Sequence, residues 1–394
     1  MMASLAFDET CSALGIPKEI KRSYERKGLK NLYPWQVECL NVTGALQGNN
    51  VVYCAPTGGG KTLVAELVLL KTACALRKKC IFVLPYVSLV VEKHHDIQRL
   101  LNIYNRSKPK NERVHVKSFH GESKFNRKLQ EDILICTIEK ANTVVNALIA
   151  SGQIFQLGCV IIDEMHVIGD ASRGYNLEIL VSKLKYLQLK ANSLSKKLHI
   201  QVVALSATIS NLPGIAAWFN AVLYQTSFRP VPLQEMIVSG NSVFDSATVS
   251  TIRPLLSLTS LNSAISNPIH LKKQLSTLSE EMHQILGLCI EGLQNKQQII
   301  IFCTSRNQCQ TTAKLLSELL SHINTSSSGS SDEDNNGADE EILFRKRITT
   351  VEKIHVESSG FKSSSESNKF AGESPQNILK KSILNGVAFH HAGT

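Results

Sequence analysis

One octapeptide constrains this chain more than any other feature. Ala55-Pro56-Thr57-Gly58-Gly59-Gly60-Lys61-Thr62 follows an apolar run, Asn50–Ala55, and opens a helix-like segment, Lys61–Arg77. Strand, glycine loop and helix in that order form the setting a phosphate-binding loop requires. Glycines let the backbone approach phosphate, and the N–H groups from Gly58 to Lys61 can form an anion-binding nest at the positive end of the helix dipole. Lys61 is then placed for β and γ phosphates, and the Thr62 hydroxyl for Mg²⁺. Ala55 stands where the general motif has glycine, a change that costs little if φ stays negative. The competing reading is an ordinary glycine-rich turn.

The surrounding pattern decides between them. From about Leu40 to Tyr224, short apolar runs (Asn50–Ala55, Cys80–Pro85, Ile133–Thr137, Val160–Asp163, Ile200–Ser206) alternate with longer amphipathic stretches. Such runs suit strands buried on both faces, and the alternation predicts a parallel, doubly wound α/β domain with its ligands at the carboxyl ends of the strands. Val160-Ile161-Ile162-Asp163-Glu164-Met165-His166 then delivers a carboxylate pair at one such end. A triphosphate site needs one acid on the metal and one on the attacking water, and Asp163 and Glu164 suit those roles. Alone, the pair reads equally as an ordinary acidic strand end; beside the glycine loop it completes a site for a magnesium-bound triphosphate.

Composition narrows the partner. Forty-three Lys plus Arg against 33 Asp plus Glu give +10, and six of those acids fall in Asp332–Glu341, so the rest of the chain is more basic still. That excess favours a polyanion. Basic clusters at Lys21–Lys30, Arg77–Lys79, Lys108–Arg113 and Arg345–Arg347 can steer it or serve as solvated faces. Ten cysteines fall singly, as small buried hydrophobes in a reducing compartment would. No signal peptide and no run of eighteen apolar residues is visible, so no membrane contact is expected.

Phe228-Arg229-Pro230-Val231-Pro232-Leu233 cannot continue a helix and reads as an extended connector. The expected organisation is a first domain over 1–225, a linker over 226–245 and a partial second domain over 246–394. A helix is expected over about Gln274–Leu293 and a further buried strand over Gln298–Cys303. The Ser/Gly/acid-rich stretch of about 322–375 reads as a disordered insertion.

Read in order, Leu32-Tyr33-Pro34-Trp35-Gln36, the loop at Ala55–Thr62, Leu84-Pro85-Tyr86, Cys136-Thr137-Ile138-Glu139-Lys140, Asp163–His166, Ser206-Ala207-Thr208 and Phe302-Cys303-Thr304 resemble the ordered motifs of superfamily 2 helicases of the DExH type. Fuller stretches resemble the helicase-like region of the DNA polymerase theta family: Thr62–Glu66, Ser172-Arg173-Gly174-Tyr175, Phe228–Leu233, Gly240-Asn241-Ser242 and Gly386–Gly393. A sister family of repair helicases shares many of them. The resemblance implies a RecA-like parallel-sheet domain followed by a second, C-terminally truncated RecA-like domain. It implies an ATP-dependent DNA helicase or translocase acting in double-strand break repair by end joining, in the nucleus, on single-stranded or partly duplex DNA in preference to RNA.

By position, Gln36 would read the adenine edge, with Tyr33 or Trp35 packed near the base. Lys61, Asp163 and Glu164 would be catalytic; His166, Ser206 and Thr208 would couple the nucleotide to domain closure. Pro85, Tyr86, Thr137 and Glu139, with Thr304, Ser305 and Arg306 from the second domain, would hold the backbone of one nucleic-acid strand, a grip indifferent to sequence. The resemblance stops at Ala392-Gly393-Thr394, just before the family's fifth motif, so an N-terminal fragment without an arginine finger is expected. The alternatives are a catalytically incomplete nucleotide- or DNA-binding fragment, and an RNA helicase.

Overall fold

In the computed structural model, the described residues are 15–121, 130–193, 195, 198–207, 209, 211–255, 279–295, 297–323, 378–379, 382–383 and 386–388. The chain divides into two compact units, Met1–Leu233 and Gln234–Thr394. The proposed insertion of 322–375 lies almost wholly outside the described residues, as does the basic triplet 345–347.

Strands β1 (Val51–Cys54), β2 (Lys79–Leu84), β3 (Val116–Phe119), β4 (Ile133–Thr137), β5 (Leu157–Ile162), β6 (Gln201–Ser206) and β7 (Val222–Gln225) build the first unit's sheet, ordered β3-β4-β2-β5-β6-β1-β7. Every pairing in it is parallel. Helices α1 (Lys18–Arg26), α2 (Pro34–Val42), α3 (Lys61–Leu70), α4 (Val87–Arg106), α5 (Ile138–Ala150), α6 (Gly174–Ser193) and α7 (Leu212–Phe219) cover it. This is the RecA-like α/β arrangement.

Alternation along each strand divides the core in two. Tyr53, Phe82, Ile135, Ile161 and Leu205 face α1 to α4, whereas Val52, Val83, Cys136, Val160 and Ala204 face α5 to α7. Both faces are dry, which is why these strands read as unbroken apolar runs. On α4, Val90, Ile97, Leu100, Leu101 and Tyr104 form the buried stripe. Pro34 starts α2 with its fixed φ and no donor to leave unpaired. Helix α3 is shorter than the Lys61–Arg77 pattern, because Lys71–Ala75 widens into a single π-helical turn. Six cysteines, Cys39, Cys74, Cys80, Cys136, Cys159 and Cys289, are buried free thiols. Burial pushes Cys39, Cys74 and Cys159 up to about 12.

The second unit holds an antiparallel sheet, β8 (Met236–Ser239), β9 (Ser242–Asp245) and β10 (Thr251–Pro254), followed by α8 (Glu280–Gln294) and α9 (Arg306–Ile323). Gly240, with φ 54°, and Asn241 make the two-residue turn between β8 and β9. Arg253 pairs with Glu291 at 2.6 Å, fastening β10 to α8. The expected strand over Gln298–Cys303 does not form: residues 297–303 are irregular, with Ile300 80% and Phe302 94% exposed. A buried parallel strand needs partners along its edges, and among the described residues none runs beside this segment. No helix among the described residues is long and apolar enough to cross a membrane.

Candidate active site

The parallel sheet sends every strand's carboxyl end to one edge, and the motif residues gather there. Ala55–Gly60 follows β1, Pro85 and Tyr86 follow β2, Asp163–His166 follows β5, Ser206 ends β6, and Thr137 ends β4 with Glu139 in the first turn of α5. Strand β6 separates β1 from β5, so the glycine loop and the acidic tip stand about 10 Å apart, two strand spacings.

Two glycines of the loop adopt the left-handed region, Gly58 at φ 74° and Gly60 at φ 81°. Gly59 is excluded from carrying a side chain by space, since a Cβ there would meet the Pro56 carbonyl at 2.9 Å. Ala55 is not among the positive-φ residues, so the departure from glycine is unstrained. The buried Lys61 ammonium donates to the carbonyls of Ala55 at 2.9 Å and Pro56 at 3.1 Å, and Tyr53 Oη donates to the Lys61 carbonyl at 2.7 Å. Thr57 and Gly58 are exposed; Thr62 is half-buried in the first turn of α3.

Helix α2 fastens the loop from behind. Trp35 Nε1 donates to the Gly59 carbonyl at 3.1 Å, and Gln36 Nε2 to the Gly60 carbonyl at 2.9 Å. The other end of the Gln36 carboxamide, Oε1, accepts from Tyr33 N at 2.8 Å. Gln36 is thus 2% exposed and bound to the loop at both ends. Tyr33 and Phe228 stand with ring centroids 5.1 Å apart, beside the loop, and Tyr33 is 39% exposed.

At the acidic tip, burial raises the Asp163 carboxyl to about 6, and the Glu164 charge adds to the rise; the Glu164 amide and the charges of Lys93 and Lys61 pull against it. The amide contact is explicit, Glu164 N to Asp163 Oδ1 at 2.8 Å. Glu164 holds φ 52°, a left-handed conformation rare for a residue with a side chain. Its Oε2 is buried and makes no well-aligned hydrogen bond, although His166 Nδ1 lies 3.1 Å away. His166 Nδ1 is also 3.4 Å from Ser206 Oγ, and the Ser206 carbonyl accepts from Ala55 N at 3.3 Å. These contacts link the tip, β6 and the loop. Thr208 lies outside the described residues.

Of the residues read as nucleic-acid contacts, Pro85 and Thr137 are buried, and Tyr86 and Glu139 are exposed. One further side chain meets three of them: Arg173, the residue before α6. Burial raises the Glu139 carboxyl, but its hydrogen bonds to its own backbone, Arg173 and Thr137 outweigh that and hold it below the usual range. Arg173 stands in the Ser172–Tyr175 stretch that carries the resemblance, but the stretch does not give its role, since its partners lie 34 and 88 residues away. In the second unit, Thr304 and Ser305 cap α9: Gln308 N donates to Ser305 Oγ at 3.1 Å, and Thr304 N to Gln308 Oε1 at 3.0 Å. Arg306 follows them, exposed, as the first residue of that helix.

Residues 33–213 match the family described as DEAD/DEAH box helicase. The chain is 35% identical over 393 residues to mouse DNA polymerase theta, a match that covers 96% of this chain and 14% of that protein. It is 26% identical to the ATP-dependent DNA helicase Hel308 of Methanocella arvoryzae, over 96% of this chain and 42% of the other. The crystal structure of the DUF1998 helicase MrfA bound to DNA superposes with a TM-score of 0.53 at 17% identity, covering 79% of this chain and 40% of that one, a likeness of fold. The chain therefore spans less than half the length of each of these proteins.

Proposed function

We propose that this chain, whose residues 33–213 match the DEAD/DEAH box helicase family, is the ATP-hydrolysing region of a DNA helicase or translocase. The observation that carries the reading is the convergence at one sheet edge. A glycine loop with a buried lysine and a carboxylate pair end β1 and β5, and His166 and Ser206 lie between them.

The residues fit a magnesium-bound triphosphate. The loop has the left-handed glycines and bare backbone that phosphate approach demands, and Glu164 Oε2 is a buried acceptor with no aligned partner. Thr62 and Asp163 would hold Mg²⁺, which when bound neutralises charge on the β and γ phosphates. Magnesium usually takes one or two carboxylates and leaves its other positions to water and phosphate, so no larger protein cage is needed. Lys61 would exchange two neutral carbonyl acceptors for anionic phosphate oxygens, turning ion–dipole hydrogen bonds into stronger ones between opposite charges. Glu164 would orient the attacking water and take its proton. His166 would pass the state of that carboxylate to Ser206. Gln36 and Tyr33, on the outer side of the loop, would meet the adenine.

The nucleic-acid path would cross the ends of β2 and β4, at Pro85, Tyr86, Thr137 and Glu139; in the second unit, Thr304, Ser305 and Arg306 are proposed on the resemblance as contacts of their own. DNA is the proposed polymer because Hel308 is named a DNA helicase and DNA polymerase theta a DNA enzyme. The resemblance extends the proposal to double-strand break repair by end joining in the nucleus. The domains proposed are 1–225 and 246–394 with 226–245 between.

ATP hydrolysis by the purified chain, measured alone, with single-stranded DNA and with RNA of equal length, tests the proposal. DNA should stimulate most, and Lys61→Ala should remove the stimulation. Hydrolysis that persists in Lys61→Ala, or responds only to RNA, would overturn it.

A further inference from the structure

Arg173 touches three of the four residues placed on the nucleic-acid path. Its Nη2 donates to the Pro85 carbonyl at 2.7 Å, and its Nε donates to Glu139 Oε1 at 2.8 Å. Nη2 also lies 2.7 Å from the same carboxylate oxygen, and the guanidinium sits 5.8 Å from the centre of the Tyr86 ring. The fourth residue, Thr137, also hydrogen-bonds the Glu139 side chain. The loop after β2 and the start of the helix after β4, its neighbour in the sheet, are therefore joined by one planar group.

The turn that presents Arg173 is itself fixed. Asp170 Oδ1 accepts from Ser172 N at 2.7 Å, Ser172 Oγ at 2.6 Å and Arg173 N at 3.1 Å. A side chain at Gly174 would place Cβ 2.2 Å from the Ile168 carbonyl, so only glycine lets α6 start this close to the segment leaving the acidic tip. The arrangement is elaborate for a stabilising contact. The Arg173 and Glu139 side chains are 28% and 46% exposed, and ion pairs so open to water add little to stability.

We propose that Arg173 is a positioning residue that holds the Pro85–Tyr86 loop and the β4–α5 junction at Thr137–Glu139 together as one platform for the phosphate backbone of a single polynucleotide strand. A guanidinium can serve a carbonyl and a carboxylate at once through separate N–H groups and stack on a ring; an ammonium has one donor centre and no plane. Losing the fork frees Tyr86 and Glu139 to move independently, so a bound strand must order them. The inference rests on the nucleic-acid path proposed above.

The test uses this chain with a fluorescein-labelled oligothymidylate, read by anisotropy, and a fluorescent ATP analogue, with thermal unfolding alongside. Arg173→Ala should weaken oligonucleotide binding on the order of tenfold and leave nucleotide affinity and the unfolding temperature as in the parent. Arg173→Lys should recover only part of the loss. Adding Glu139→Gln to Arg173→Ala should cost little more than Arg173→Ala alone, because both remove the same link. The inference is overturned if Arg173→Ala binds the oligonucleotide like the parent, if Arg173→Lys binds fully, or if DNA and nucleotide binding fall together with stability. A parent chain that binds nucleotide but no oligonucleotide overturns it while leaving the ATP site standing. A parent that binds oligonucleotide without nucleotide sinks the ATPase reading and leaves Arg173 supported by its own variants.

Discussion

His166 Nδ1 stands 3.1 Å from Glu164 Oε2 and 3.4 Å from Ser206 Oγ, so one imidazole meets the carboxylate at the tip of β5 and the hydroxyl that ends β6. Removing either partner should have different consequences. Glu164→Gln keeps the shape but cannot accept a proton, and should lower ATP turnover by about 10²–10⁴ while ATP still binds. His166→Ala should spare basal turnover and reduce its stimulation by DNA. Steady-state hydrolysis with and without DNA separates the two, and equal loss of basal rate in both variants would refute the division of roles.

The glycines of the loop should not be interchangeable. At Gly60 a Cβ would meet Gln36 Nε2 at 2.7 Å and the backbone is left-handed, whereas at Gly58 the backbone is left-handed but nothing lies within 4 Å. Gly58→Ala should cost about 1 kcal/mol from φ alone. Gly60→Ala should cost more and should also displace the Gln36 amide. Chemical denaturation gives the order, and a Gly58→Ala variant less stable than Gly60→Ala would contradict it.

Trp35→Phe retains an aromatic ring between Tyr53 and Tyr224 but leaves the buried Gly59 carbonyl without its indole donor. An unsatisfied buried acceptor costs about 1–3 kcal/mol. The loss should appear as a lower unfolding temperature together with weaker nucleotide binding, since the carbonyl belongs to the loop. Intact binding in a destabilised variant would place the effect in the core alone.

Asp163 predicts a pH signature in metal-free buffer. Its folded pKa of about 6 lies above the ordinary 3.8, so the folded chain holds a proton that the unfolded chain has released between those values. Stability from this group is therefore present at low pH, falls as pH rises through about 4 to 6, and stays lost above. Asp163→Asn should raise stability at pH 7–8 by about 2–3 kcal/mol at most and change little below pH 4. Magnesium with ATP should narrow the gap by favouring the ionised parent. Equal stabilisation at all pH values would show that burial of the charge is not the cause.

Much of this site is legible along the chain because its chemistry sits at the ends of strands buried on both faces. β1, β2, β4, β5 and β6 are continuous apolar runs, and the loop and acidic pair follow two of them directly. The sheet margins are less legible. Val116-Lys117-Ser118-Phe119 has two apolar residues and Val222-Leu223-Tyr224-Gln225 is short, since an edge strand need not be dry on every side. Gln298–Cys303 shows the opposite error: an apolar run without partners in the described residues makes no strand. Arg173 was hidden for a third reason, that its meaning depends on residues brought near by the fold. Gln36 stands out in its motif, but its grip on Gly60 and Tyr33 arises only from the folded backbone.

That double grip bears on how the loop is held. The same carboxamide supports the start of α2 through Tyr33 N and pins the loop through the Gly60 carbonyl, while a second N–H and a second lone pair stay outside these two bonds. A change that withdraws this one side chain would therefore loosen a helix start and a glycine turn together, leaving two backbone groups to find water instead.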